Sequence, residues 1–214
     1  GGLSEMDTGA KGGNRMLKDL VKANRSYRGY DESRCVTKEE LLEMADCARL
    51  AASSVNRQPL QYYLAWEKDE VDKIQALTKW AKGLPELTLP HPHMCPTAFI
   101  VICQNTKRGE SLVRFQRDVG IAAQTILLAA TEMGLGGCMI GNFGAGSVKE
   151  ALSLPEYLSP MLIVAIGKPA ETVVLEEVED GESIAYYRDE QDVHHVPKRK
   201  LADVVLDRSM LRQH

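Results

Sequence analysis

Apolar residues recur along the chain in two rhythms, one helical and one extended, and together they predict most of the elements. Met16, Leu17, Leu20 and Val21 share one side of a short helix over 15–23, which the polar run Asn24-Arg25-Ser26-Tyr27-Arg28-Gly29 stops. Thr37 with Glu40 three residues on is a capping box; Leu41, Met44, Ala45, Ala48 and Ala52 follow at helical spacing, which predicts a helix over 38–52. Leu60 to Trp66, dense in β-formers, is a predicted strand, and Val71, Ile74, Leu77 and Trp80 mark a helix over 70–82. Prolines at 85, 90, 92 and 96 make the stretch 83–96 loop. Ala98 to Cys103 and Met161 to Gly167 are unbroken apolar runs, the pattern of strands buried on both faces.

Between those two strands lies the longest predicted helix, over 111–133. Leu112, Phe115, Val119, Ala122, Ile126, Ala130 and Met133 recur every three or four residues, and Ala123 and Leu127 widen the stripe, so the helix should be covered nearly all round. Gly134-Leu135-Gly136-Gly137 ends it with residues tolerant of left-handed backbone. Ser147 with Glu150 reads as a second capping box, opening a helix of about seven residues. The chain beyond Gly167-Lys168-Pro169 is polar, with acidic residues over 176–182 and the basic triplet Lys198-Arg199-Lys200. Helices surrounding few strands make an α+β fold. Residues 1–14 read as a disordered lead-in, and 15–214 as a single domain.

Composition narrows the function classes. With 214 residues, 44% of them hydrophobic, the chain can bury a sizeable core. Thirty acidic against 26 basic side chains leave a formal net charge of -4, which disfavours a nucleic-acid partner. The longest apolar stretch, Ile121 to Ala130, falls well short of the ~20 residues of a membrane span. Five cysteines without a C-x-x-C argue against a disulfide scaffold or a zinc ribbon. The chain opens Gly1-Gly2-Leu3 without a starting Met, so a removed targeting segment stays open and the cytoplasm is the default expectation.

Three separated segments carry groups suited to an anionic, amide-edged ligand: Arg25-Ser26-x-Arg28, Asn56-x-Gln58-Pro59 and Lys198-Arg199-Lys200. Guanidinium, ammonium and hydroxyl groups suit a phosphate, and Asn and Gln can pair with a ring edge of alternating N–H and C=O. Together they point to a phosphorylated cofactor.

In order and over about residues 15–206, the sequence resembles the nitroreductase family of flavin enzymes. The resemblance rests on Arg25-Ser26-Tyr27-Arg28-Gly29-Tyr30, on Ala52-Ser53-Ser54-Val55-Asn56-Arg57-Gln58-Pro59, on Asp118-Val119-Gly120-Ile121-Ala122-Ala123-Gln124 leading to Gly134-Leu135-Gly136-Gly137-Cys138-Met139-Ile140-Gly141, and on Ala165-Ile166-Gly167-Lys168-Pro169. It implies a central mixed sheet flanked by helices, with the long helix buried at the interface of a homodimer and one FMN at each of two interface sites. Arg25, Ser26 and Arg28 would approach the phosphate, ribityl chain and pyrimidine side of FMN, and Asn56 with Gln58 would bond the ring edge. The backbone of Met139, Ile140 and Gly141 would lie along the ring, with the Gly141 N–H near N5, and Lys198 and Arg199 would close over the phosphate. Two departures stand out: Asn24 occupies a position that is basic in many relatives, and Lys198-Arg199-Lys200-Leu201 lacks the proline often found there, which leaves open whether Lys198 or Arg199 meets the phosphate. The implied activity is ping-pong hydride transfer from NADH or NADPH through FMN to a nitroaromatic, quinone or similar acceptor, with no catalytic side chain required. The alternative is a flavin-binding protein of this fold without nicotinamide-driven reductase activity.

Three other readings carry less. Gly134-x-Gly136 follows a helix where a dinucleotide fingerprint requires a strand. His91-x-His93-x-Cys95, with His194-His195 far downstream, has metal-ligand chemistry, but its prolines favour a loop over a site entrance. Cys138 has no His and acid partner near it in sequence and reads as a buried thiol.

Overall fold

In the computed structural model, which describes residues 16–213, the elements run α1 (Leu17–Ala23), β1 (Tyr30–Asp31), α2 (Lys38–Leu50), β2 (Leu60–Ala65), α3 (Lys68–Gln75), β3 (Ala98–Asn105), α4 (Gln116–Glu132), β4 (Gly136–Ile140), α5 (Ala145–Ala151), β5 (Leu158–Pro169), β6 (Val173–Val178), β7 (Tyr187–Arg188), β8 (His194–Arg199) and α6 (Leu201–Val204). The expected lead-in over 1–14 lies outside the described residues. The two apolar runs became β3 and β5, which pair antiparallel at the centre of a five-stranded sheet. β2 closes the far edge beyond β3, and β4 and β1 pair with β5. All of these ladders are antiparallel; a single bridge between Ser26 and Gly137 adds a parallel pairing.

Strand alternation sorts β3 into two cores. Ile100 and Ile102 face α2 and α4, meeting Leu41, Met44, Ala122, Ala123, Ile126 and Ala130. Phe99, Val101 and Cys103 face the opposite way, packing with Val71 and Ile74 of α3 and Val148 of α5. Every residue of β3 is buried, as a strand sandwiched between two helix layers must be. The Thr37–Glu40 capping box forms in both directions and starts α2.

Several expectations need correction. Gly144, not Ser147, takes the N-cap of α5, so Ser147 lies inside the first turn and its capping box does not form. The helix expected over 70–82 stops at Gln75, where the Thr78 hydroxyl donates to the Gln75 carbonyl and the Trp80 indole N–H donates to that hydroxyl. Helix α4 starts at Gln116, five residues later than expected, and its own chain buries one stripe only; Ile121 stays 41% exposed. The polar tail holds a second sheet, ordered β6-β8-β7. Gly134 has the left-handed backbone expected of a helix end, at φ 77°, but Gly136 and Gly137 are strand residues.

Gly137 answers a different need. A Cβ there would sit 2.0 Å from the Ala165 carbonyl oxygen and 2.7 Å from Leu127 Cδ2. The first neighbour is backbone of the central strand and cannot yield. Gly141 is the natural control, because a Cβ there meets nothing within 4 Å. We expect Gly137→Ala to lower unfolding stability by about 3 kcal/mol, read as a fall in the urea midpoint, while Gly141→Ala falls much less; equal midpoints would contradict the steric assignment.

Candidate functional site

The loop after α1 is laid directly on β4. Ser26 bridges Gly137, the Tyr27 N–H donates to the Gly137 carbonyl at 3.0 Å, and the Tyr30 hydroxyl closes the loop on the Tyr27 carbonyl at 2.6 Å. Arg25 is half-buried; its Nε donates to the Asn24 carbonyl at 2.8 Å and its Nη2 to the Val21 carbonyl at 3.0 Å, so it also caps the last turn of α1. Partial burial pulls the Arg25 pKa below its ordinary value. Ser26 stays exposed beside Arg25. Further along β4, Met139 is 37% exposed between buried Cys138 and Ile140, and open space lies over Gly141. The structure thus brings Arg25 and Ser26 to the strand that carries Met139, Ile140 and Gly141. The Ile140 side chain is committed to the core, so only its backbone is offered.

Arg28 ties this edge to the C-terminal sheet. Its guanidinium lies 5.0 Å over the Tyr186 ring, and Nη1 reaches the Ser26 carbonyl and His194 Nε2, both at 3.3 Å. Its backbone N–H donates to Glu171, whose second oxygen pairs with buried Arg188 at 2.7 Å. Tyr186 also accepts the Gly83 N–H at 2.9 Å, and His91 pairs with Asp192 at 2.9 Å, so the loop 83–95 is clasped to the same sheet. Lys198 and Arg199 stand on β8, roughly 13 to 17 Å along the strand from His194. Both are exposed, and Arg199 lies 3.5 Å from Asp180.

Asn56 and Gln58 lie elsewhere. Their loop is held by Asp118, 3% exposed, which accepts the Ser53 hydroxyl and, at 3.1 Å, the Ser54 N–H; the Ser53 oxygen in turn accepts the Gln58 N–H at 3.0 Å. That anchoring supports three non-glycine residues at positive φ, Val55 at 45°, Asn56 at 53° and Gln58 at 52°. The residue reading missed Asp118 as an anchor, although an acid four residues before Ala122 on a buried helical stripe was its signal. A cavity of about 570 Å³, lined among others by Ala48, Ser53, Gln58, Tyr62, Asp118 and Ile121, opens beside this loop. The loop feeds β2, three strand spacings from β4, or about 14 Å. One chain therefore carries the two halves of the expected site on opposite edges of its sheet.

The other candidates find ordinary places. His91 is engaged by Asp192, and among the described residues no group of three or more His, Cys, Asp or Glu could hold a metal. Cys138 is buried, and burial pushes its thiol pKa up, away from a nucleophilic thiolate. Among the described residues no helix is long and apolar enough to cross a membrane.

A model of the nitroreductase family matches residues 21–168, which include Arg25, Ser26, Arg28, Asn56, Gln58 and the Met139 to Gly141 strand end. The chain belongs to the nitroreductase family. It is 28% identical over 178 residues to a Bacillus subtilis protein named FMN reductase (NAD(P)H), spanning 74% of this chain and 67% of that one. It is 27% identical over 182 residues to an oxygen-insensitive NADPH nitroreductase of Helicobacter acinonychis, spanning 71% and 86%. Its fold is similar to that of an Exiguobacterium sibiricum protein solved in complex with FMN, with a TM-score of 0.62 at 19% identity, over 74% of this chain and 90% of that one. The family match ends before the C-terminal sheet, so Lys198 and Arg199 lie outside it.

That sheet has its own electrostatic lock. His195 meets Asp189 through Nε2 at 2.7 Å and Glu176 through Nδ1 at 2.5 Å, and it stacks on Tyr187 with centroids 4.6 Å apart. Hydrogen bonding to Asp189, then to Glu176, raises its pKa. A folded pKa above the unfolded value of about 6.5 gives stability that is complete below that pH and lost as pH rises through the folded pKa. Urea midpoints of the wild type should fall as the pH rises above about 6.5, and those of His195→Leu should be flatter there; parallel curves would remove His195 as the cause.

Proposed function

We propose that this nitroreductase-family protein is an FMN-dependent NAD(P)H oxidoreductase, folded as a single domain over 15–214 and working as a homodimer with two FMN sites at its interface. The observation that carries the reading is the division of the site: Arg25, Ser26 and the Met139 to Gly141 edge lie on one side of the sheet, and Asn56 and Gln58 on the other. A second copy can bring the two edges together. Surface apolarity supports such a copy: Ile121 on α4 and Leu201, Val204, Val205 and Leu206 in the tail are all exposed, and among the described residues β2 is an edge strand of its sheet.

The residues fit FMN. A half-buried guanidinium beside an exposed hydroxyl suits a phosphate and a polyol, and open backbone at Gly141 next to exposed Met139 leaves room for a planar ring. When bound, FMN supplies the position that accepts a hydride from NADH or NADPH and passes it to an acceptor. Arg25 and Ser26 hold the phosphate end, with Lys198 and Arg199 closing from β8. Arg28 places a cation at the pyrimidine side. Asn56 and Gln58, rigidly presented by Ser53 and Asp118, bond the ring edge. The clasped loop 83–95 shapes the space open to the acceptor, for which nitroaromatics and quinones are the proposed classes. All five cysteines are free, which suits a reducing compartment such as the cytoplasm.

Protein mixed with FMN and desalted should keep flavin absorbance that bleaches anaerobically with NADH or NADPH and recovers with a quinone. Retained colour without bleaching would overturn the reductase activity, and no retained colour would overturn the cofactor. Arg25→Ala should weaken FMN about tenfold or more, from the loss of roughly 1.5 to 3 kcal/mol in a charged hydrogen bond; unchanged binding by fluorescence titration would remove Arg25 from the phosphate.

A further inference from the structure

Among the described residues the guanidinium of Arg28 has no carboxylate partner. Glu171, which holds the Arg28 backbone, spends one oxygen on its N–H and the other on Arg188. Arg28 is instead held by three neutral groups, the face of Tyr186 at 5.0 Å and, each 3.3 Å from Nη1, His194 Nε2 and the Ser26 carbonyl. A guanidinium has no lone pair, so Nε2 must accept and the ring proton sits on Nδ1. That ring is 1% exposed, and among the described residues its Nδ1 is buried without a hydrogen-bond partner, as is Arg28 Nε. Burial first, then Arg28 and Arg188, pushes the His194 pKa down to about 4, so the imidazole stays neutral and adds no charge to the cluster. A carboxylate at 194 would neutralise Arg28. An imidazole lone pair and an aromatic face orient the cation and leave its charge unshared.

We propose that His194, with Tyr186, is a positioning residue that holds Arg28 as an unneutralised cation toward the pyrimidine side of FMN, so that His194 tunes the stability of the reduced cofactor more than the binding of the oxidised one. The proposal rests on the FMN reading above. Taking up two electrons and one proton leaves the flavin ring with one negative charge, whereas the oxidised ring is neutral. An unshared cation at that edge discriminates between the two forms, and a misplaced one does so less.

The test measures the dissociation constant of oxidised FMN and the midpoint potential of bound FMN for the wild type, His194→Leu, His194→Gln, Arg28→Gln and the His194→Leu/Arg28→Gln pair. His194→Leu should weaken the reduced form about tenfold more than the oxidised form, equivalent to a potential about 30 mV lower for a two-electron couple. His194→Gln keeps an acceptor near the Nε2 position and should recover most of that shift. On the Arg28→Gln background, His194→Leu should add nothing, because His194 acts through Arg28. Should His194→Leu fail to fold, Tyr186→Leu, at a half-buried position, should lower the potential with the same sign. An unchanged potential in the folded variant, or an equal shift with Arg28 already removed, overturns the inference while FMN binding stands. A wild type that binds no FMN overturns the FMN reading and this inference with it.

Discussion

The carbonyl oxygen of Ala165 occupies the place that any side chain at residue 137 would need. This close approach seats β4 on β5 beneath Leu127 of α4, in register from Gly136 opposite Gly167 to Ile140 opposite Ile163. The loop carrying Arg25 and Ser26 then finds its place on the Gly137 backbone. One sterically required glycine therefore fixes the helix layer, the sheet and the candidate cofactor edge relative to one another.

A second constraint is electrostatic and ties variable segments to that frame. Arg188, buried, joins Glu171 and Asp192; Glu171 holds the Arg28 backbone, and Asp192 holds His91. Breaking the Arg188–Glu171 pair would strand a buried charge, which disfavours independent motion of the 25–30 loop and the C-terminal sheet. The small sheet carries Lys198 and Arg199 on β8. Buried ion pairs there coexist with Arg28, whose guanidinium meets no acid among the described residues.

Hydrophobic rhythm made the centre legible: β3, β5, α2 and the core of α4 follow from uninterrupted or periodic apolar residues whose burial permits no other choice. Elements set by tertiary contacts were not legible. β4 hides behind two glycines whose role is proximity and not turn formation, and α3 ends early because Thr78 and Trp80 cap it locally. β6 and β8 alternate weakly, and β8 contains Pro197, so the second sheet depends on the His195–Glu176 pairing across it. In the candidate site, residue types suggested the cofactor chemistry and the family resemblance assigned the positions. The division between two sheet edges, the Asp118 anchor and the turn of Arg28 toward His194 needed three dimensions, because each depends on groups far apart in sequence.

The central claim is that each cofactor site takes one edge from each of two copies, and subunit complementation addresses it directly. Arg25→Ala/Ser26→Ala chains carrying one affinity tag would be refolded with Asn56→Ala/Gln58→Ala chains carrying another, and the doubly tagged dimer titrated with FMN. Shared sites put both defects in one site and leave the other intact, so the mixed dimer should bind one FMN with wild-type affinity while each parent dimer binds weakly. A mixed dimer with no wild-type site would contradict the account, since it would mean that both sets of residues act within the same chain.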